Sequence, residues 1–421
     1  MSPQRWKEDL IKLGEMGRRI PAQIESYEQL DPDNGLQRLE GTLESKISKE
    51  YMIARMKEAG LKVRIDKVGN IYARKEGSKT GKGAVMSGSH LDSVLNGGMF
   101  DGPLGVVSAL EAVRIINDEG FENERPIEVV AFMGEEGSAF RKTLLGSSVI
   151  ASDLSVDEAL AIKNAEGVTL KEALDNLELR GNFMMDLGDV EYFIETHVEQ
   201  GPVLDKEKVP IGIVENITGL TWVNAILTGE ENHAGTTPMS LRKDPLVAAA
   251  NIVLLANRRA NEMVKEFGGS TVATVGKMEV RPGAPNIIPG KVEMGIDIRD
   301  SNKENMRKLQ DEVIMAINGL EGEYGIKTTI DIPFDYPPCS CSREVVDAID
   351  KAAMAMRIKT KRMNSGAGHD AQNIAKKVKT AMIFVPSVNG ISHSPLEWTN
   401  WEDVENGIKV LTQAIKTLSI V

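Results

Sequence analysis

The five histidines of this chain lie in short motifs rich in glycine, acids or serine. His90 ends AVMSGSH, His197 ends EYFIETH and His393 follows TAMIFVPSVNGISH, each after an apolar run that reads as a strand. His233 opens HAGTTP, and His369 lies in SGAGHDA. Histidines used only for packing scatter over helix faces, whereas these gather where strands end. Strand ends also bring carboxylates: Asp92 and Asp101 near His90, and the pair Glu135-Glu136. Neutral imidazole with carboxylate is the ligand set of zinc, manganese and related divalent ions. The first expectation is a metal-dependent hydrolase.

In GSHLDSVLNGGMFDGPLGV, His90 and Asp92 are two apart, on one side of a continuing strand. Asp92 can then accept the second ring N–H of His90 and fix its tautomer. Asp101 lies in a glycine-rich turn that lets it return toward His90 and bridge two cations; the alternative is a helix N-cap. In MGEEGSAF, adjacent glutamates at the end of an apolar strand are costly without a positive charge nearby. Neighbouring side chains diverge, so Glu136 is assigned as ligand and Glu135 as general base; the alternative is a solvated acidic turn. His197 completes a second three-ligand set, Gln200 can orient substrate, and His393 is a third ligand beside Glu136. Two cations about 3.5–4 Å apart polarise a carbonyl and acidify a shared water. Further along, Arg299 in GIDIRD suits a substrate carboxylate, and His233 can donate to an oxyanion. Asn286 in GAPNIIPG and His369 join the expected substrate contacts. His233, Asn286 and Arg299 could each instead be a surface or interface residue.

The elements that must position these groups follow from periodicity. Residues 3–63 read as helical, on apolar residues three and four apart in MSPQRWKEDLIKLGEMG and from about Gly41 to Gly60; LKVRIDKVGNIYARKEG reads as a hairpin, and AVMSGSHLD and PIEVVAFMGEE as buried strands separated by the helix GPLGVVSALEAVRIINDEG. Strands separated by helices imply parallel βαβ units, with sites beyond the carboxyl ends of the strands. From about residue 213 the order becomes β-α-β-β-α-β, a ferredoxin-like insertion of about 120 residues, whose first helix has Asp244 as N-cap and Pro245 at its first position. The expected class is α/β, a mixed, largely parallel sheet with helices on both faces plus that inserted α+β domain. The boundaries are 1–212 and 333–421 for the catalytic domain and 213–332 for the insertion.

Composition sets outer limits. A net charge of -12 argues against a nucleic-acid groove. No apolar run approaches the roughly 20 residues of a membrane span, and the first residues lack a signal-peptide core. Cys339 and Cys341, one residue apart, cannot staple a fold, so a cytoplasmic location is expected. GSKTGKG at 77–83 has the wrong glycine spacing for a phosphate loop and reads as a surface turn.

Taken in order, GSHLDSVLNGG-FDGPLGV, EEGSAF, HVEQGPVLD, HAGTTPM, NIIPG with DIRD, and GISHSP span essentially the whole chain. In these motifs the chain resembles the dinuclear-metal amidohydrolases related to carboxypeptidase G and the aminoacylases. Within them it resembles the hydantoinase/carbamoylase branch: N-carbamoyl-L-amino-acid hydrolases, allantoate amidohydrolases and beta-ureidopropionases. The resemblance implies a metallo-exopeptidase-like fold and two divalent ions per subunit, zinc or manganese, cobalt or nickel. One ion would sit among His90, Asp101 and His197, the other among Asp101, Glu136 and His393. It implies Glu135 as base, a closing lid, and a homodimer built largely through the lids. It leaves open whether His233 serves its own subunit or its partner's. Gln200, His233, Asn286 and Arg299 match positions that hold the substrate's carboxylate and scissile group. Two positions depart from the family's usual pattern: Met99 replaces a basic residue or asparagine, and Ala139 replaces an arginine, with Arg141 two positions on.

The activity expected is hydrolysis of a linear amide or ureido C–N bond in a small carboxylate substrate, most simply an N-carbamoyl-L-amino acid, by a metal-activated water. Rivals are allantoate hydrolysis, N-acyl or dipeptide cleavage, and a non-catalytic binding protein on the same fold.

Overall fold

A computed structural model describes residues 4–421, and the chain divides into two compact units. One comprises the chain up to Glu215 together with Ser340–Val421; the other is Asn216–Cys339.

The first unit is built on a nine-stranded sheet. Its strands include β1 (Lys62–Ile65), β2 (Ile71–Lys75), β3 (Ala84–His90), β4 (Ile127–Phe132), β5 (Val190–Val198) and β6 (Ile211–Ile217). The order is β1-β2-β4-β3-β5, then Lys379–Val385, β6 and Cys339–Ser340, with Thr360–Ser365 also on β6. The centre is parallel (β4 with β3, β3 with β5, β5 with Lys379–Val385) and β1 and β2 run antiparallel at one side. Both faces are covered, which explains the near-continuous apolar runs. Ile127, Val129, Ala131, Ile194, Ile383 and Val385 pack with helices Arg5–Glu15, Pro103–Asp118, Arg343–Ala355 and Trp401–Ser419. The alternate residues Met86, Val130, Phe132, Phe193, Met382 and Phe384 point to the opposite face and are equally buried.

Two helices form within 3–63, in the two segments whose apolar spacing predicts them. Arg5–Glu15 and Leu43–Glu58 are helical, but between them only Tyr27–Gln29 forms a turn of 3₁₀ helix. Gly17, Pro21, Pro32, Gly35 and Gly41 break the pattern. This irregular segment lies along the loop after β3: Leu36 and Gly97 exchange backbone hydrogen bonds, both 2.9 Å. The hairpin is β1 and β2, and residues 77–83 have no regular structure, as a surface turn requires.

The second unit is an antiparallel sheet in the order Lys327–Asp331, Gly219–Thr228, Lys291–Asp300, Val272–Arg281. With helices Pro245–Phe267 and Lys303–Tyr324 this is the ferredoxin-like order. Asp335–Tyr336 adds a short fifth strand beside Thr221 and Leu220. Asp244 caps the first helix, accepting from the N–H of Leu246 and Val247, and Pro245 occupies its first position. The core of this unit alternates along the strands (Val223, Ala225, Leu227; Val292, Met294, Ile296, Ile298), as a sheet covered on one face demands.

Candidate active site

The imidazoles are delivered by register. Ser87 of β3 lies opposite Ile194 of β5. Three residues on, the rings of His90 and His197 are 5.9 Å apart at the carboxyl end of the sheet. Each ring donates its Nδ1–H to a backbone carbonyl, His90 to Asp92 at 3.1 Å and His197 to Val198 at 3.0 Å. A carbonyl can only accept, so these bonds turn both Nε2 atoms inward. Both meet Asp101 Oδ1, at 3.4 and 3.3 Å. His393 Nε2 lies 3.4 Å from Asp101 Oδ2 and 3.5 Å from Glu136 Oε2. Thus His90, Asp101 and His197 form one group with metal-ligand spacing, and Asp101, Glu136 and His393 another, sharing Asp101. Glu135 Oε2 stands 3.9 Å from His90 Nε2.

Two glycines make room for the shared carboxylate. A Cβ on Gly102, at φ +85°, would come within 2.5 Å of the His90 ring, and one on Gly98 within 2.4 Å of Glu397. Gly102, not Asp101, is the N-cap of helix Pro103–Asp118, so the Asp101 carboxylate is spent on the histidines. Glu397 was not anticipated. Its Oε1 accepts the N–H of Phe100 (2.9 Å) and Asp101 (3.0 Å), and its Oε2 accepts the Ser392 hydroxyl at 2.7 Å. The one sequence signal for it is a lone acid between Leu396 and Trp398.

Asp92 stands beside His90, as expected, and has further partners. The Nδ1–H of His90 goes to the Asp92 backbone carbonyl, while the carboxylate oxygen is farther away at 3.5 Å. The carboxylate also accepts the backbone N–H groups of Glu135 and Glu136, each at 3.2 Å. The chain turns after β3, so the alternation of a strand no longer applies there.

Gln200 donates to Asp101 Oδ2 at 2.7 Å. Gln200 and His393 both have left-handed backbones, φ 57° and 52°, conformations that cost non-glycine residues energy and concentrate at functional sites. His369 is buried, its ring 4.6 Å from that of His197 and its Nε2 2.9 Å from Ser365 Oγ. His233, Asn286 and Arg299 belong to the second unit. Ala234 N–H donates to the Asn286 carbonyl, so the His233 and Asn286 segments meet there. His233 Nδ1 accepts the N–H of Gly235 (3.0 Å) and Thr236 (3.2 Å), which places its proton on Nε2. Arg299 makes two hydrogen bonds to Asp297, at 2.9 and 3.1 Å. Met99 is buried against Gly14, and Arg141 is exposed.

The donor set fits divalent cations. Lone pairs of three imidazoles and several carboxylate oxygens converge, and Glu136 Oε1 is buried with no hydrogen-bond partner among the described residues. Without a cation, protons must serve. Burial alone would lower His90 and His197, but Asp101 and the neighbouring carboxylates outweigh it and raise both. Asp101 lifts His393 to about 9. Burial, then Asp101, lifts Glu136 to about 8, and burial holds Glu135 well above the usual carboxylate range. Cation binding must expel these protons, so affinity rises as pH rises. Calorimetric titration of chelated protein with Zn²⁺ in two buffers of different ionisation enthalpy should show at least about one proton released per ion near pH 7. Equal heats in both buffers would contradict this.

Residues 86–417 match peptidase family M20/M25/M40, and the chain belongs to it. It is 38% identical over 405 residues to the N-carbamoyl-L-amino-acid amidohydrolase of Paenarthrobacter aurescens, covering 95% of this chain and 97% of that one. It is 35% identical over 391 residues to the allantoate amidohydrolase of Escherichia coli K12, covering 92% and 94%. The crystal structure of a hydantoinase/carbamoylase family amidase from Burkholderia multivorans superposes with a TM-score of 0.87 at 33% identity, over 99% of this chain and 98% of that one.

Proposed function

We propose that this chain hydrolyses a linear ureido or amide C–N bond in a small carboxylate-bearing substrate, most simply an N-carbamoyl-L-amino acid. The observation that carries the reading is the convergence of three imidazoles on the single Asp101 carboxylate, with Glu135 beside them. The geometry fits two divalent ions, one held by His90, Asp101 and His197, the other by Asp101, Glu136 and His393. When bound, such ions polarise a carbonyl and make water acidic enough to deprotonate near neutral pH.

The protein's side chains perform the rest, with His233 supplied by the same subunit or by its partner. Glu135 takes a proton from the attacking water as its oxygen adds to the ureido carbonyl carbon. The carbonyl π-electrons move to oxygen, and the Nε2–H of His233 donates to that developing oxyanion. Glu135 then returns the proton to the leaving nitrogen as the C–N bond breaks. The oxyanion electrons re-form the carbonyl as that one bond breaks, leaving an amine or ammonia and a carbamic acid. The carbamic acid then loses carbon dioxide spontaneously, so amino acid, ammonia and carbon dioxide are the final products. Glu135 stands 3.9 Å from His90 Nε2, beside the cluster that would hold the water, and so can carry the proton from one step to the next. Gln200, Asn286, Arg299 and His369 are assigned to the substrate, with Arg299 on its carboxylate. The second unit acts as a lid and as the surface of a homodimer. In support, its edge strand Val272–Arg281 is exposed along most of its length, with Val272 and Met278 uncovered. Among the described residues no helix is long and apolar enough to cross a membrane. A cytoplasmic location is assigned because Cys339 and Cys341, one residue apart, cannot staple the fold by bonding to each other.

The test is ammonia release from a panel of N-carbamoyl-L-amino acids, allantoate, N-carbamoyl-beta-alanine and dipeptides. Fastest release from N-carbamoyl-L-amino acids is expected. Allantoate is the second reading, favoured by the E. coli relative, and its dominance would reassign the substrate. Arg299→Ala should raise KM about tenfold to a hundredfold, from the roughly 1.5–3 kcal/mol of a charge-assisted hydrogen bond, with kcat within a few-fold. An equal loss on analogues lacking the carboxylate would show that Arg299 does not read that group.

A further inference from the structure

Past the end of β4 the chain runs Met133-Gly134-Glu135-Glu136, and each of these four backbone N–H groups is taken by a side-chain oxygen. Asn70 Oδ1 accepts from Met133 at 2.8 Å, Glu40 Oε1 from Gly134 at 3.2 Å, and Asp92 from Glu135 and Glu136 at 3.2 Å each. The carbonyls are held on the other side. Those of Met133, Gly134 and Glu135 accept the N–H groups of Gly146, Leu145 and Leu144, at 2.8, 3.2 and 2.7 Å. Gly134 has φ +65°, so the turn that aims Glu135 pivots on a residue whose own N–H is fixed by Glu40.

Glu40 is itself held. Its Oε2 accepts Lys49 Nζ at 2.5 Å and the Ser45 hydroxyl at 3.1 Å, and the side chains of Glu40 and Lys49 are only 3% and 2% exposed. A buried ion pair is a poor source of stability, since well-packed apolar residues often replace one at no loss. This pair leaves one oxygen over, and that oxygen meets the residue before the base.

We infer that Glu40, braced by Lys49, is a positioning residue that sets the backbone from which Glu135 reaches the reacting water. The inference rests on the reading of Glu135 as general base. A displacement of about 1 Å at such a site can lower turnover by about 10²-fold.

Two double variants separate geometry from stability. Glu40→Gln/Lys49→Met removes the charges but keeps an oxygen for Gly134. Glu40→Leu/Lys49→Met removes the oxygen as well; Glu40→Ala/Lys49→Met serves where leucine overfills the site. Each is reconstituted with Zn²⁺ and assayed on the N-carbamoyl-L-amino acid that wild type hydrolyses fastest, with thermal unfolding and bound metal measured in parallel. The glutamine variant should keep kcat within about threefold of wild type. The apolar variants should fold, keep their metal and KM, and lose kcat by about tenfold to a hundredfold. Equal kcat in both kinds of variant overturns the inference, as does a loss that follows bound metal or KM. A wild type that releases no ammonia from any of the panel contradicts the functional reading itself, before any variant is compared.

Discussion

Glu135→Gln should lower kcat by about 10²–10⁴-fold, the range of general acid–base catalysis, while bound metal stays at the wild-type level. That loss corresponds to about 3–5 kcal/mol of transition-state stabilisation. The substitution is nearly isosteric, and the peptide N–H of residue 135 keeps its bond to Asp92. What is lost is the capacity to hold a proton. Glu135 lies 3.9 Å from His90 but is not needed to complete either three-ligand group that shares Asp101. The pH dependence gives a second reading. Burial raises the Glu135 carboxyl, and the nearby His90 opposes the rise. The base works only when deprotonated, so the acid limb of kcat/KM in wild type reports its titration. That limb should vanish in the variant. Metal lost together with activity would instead make Glu135 a ligand.

Asp101→Ala should remove both activity and metal. Asp101 Oδ1 faces His90 and His197 and Oδ2 faces His393, so one truncation breaks both groups at once. Losing the several kcal/mol that cations contribute to such a reaction lowers turnover by about 10³-fold or more. Bound metal, measured by elemental analysis after gel filtration, should fall below half the wild-type content. Wild-type protein should also gain thermal stability on adding Zn²⁺, because a ligand that binds only the native state stabilises it, and Asp101→Ala should not. A variant that keeps its full metal complement would show that Asp101 does not bridge.

How far the sequence could be read depended on the range of the interactions involved. Asp244 and Pro245 mark a helix start through bonds to the next two or three residues, and the start falls there. The ferredoxin-like order followed from alternation and helical periodicity, both local. His90, His197 and Glu135-Glu136 were legible because each closes an apolar run, and strands in a parallel sheet end together. Helical spacing holds only in the segments on either side of 16–42, and Gly17, Pro21, Pro32 and Gly35 keep the stretch between from continuing them. Asp92 is legible as a neighbour of His90, 3.5 Å from its Nδ1, but its bond to the N–H of Glu135, 43 positions along the chain, is not. Glu397 meets the N–H of Asp101 across 296 positions, and Glu40 meets Gly134 across 94. Nothing local marks such residues except an acid in apolar surroundings, and Glu40 lacks even that.

The most direct measurement is a titration of chelated protein with Zn²⁺ or Mn²⁺, following ammonia release from an N-carbamoyl-L-amino acid together with bound metal. Metal-free protein should be inactive, and turnover should rise to its plateau as two ions bind per chain. Undiminished turnover in the chelated, metal-free protein would contradict the account.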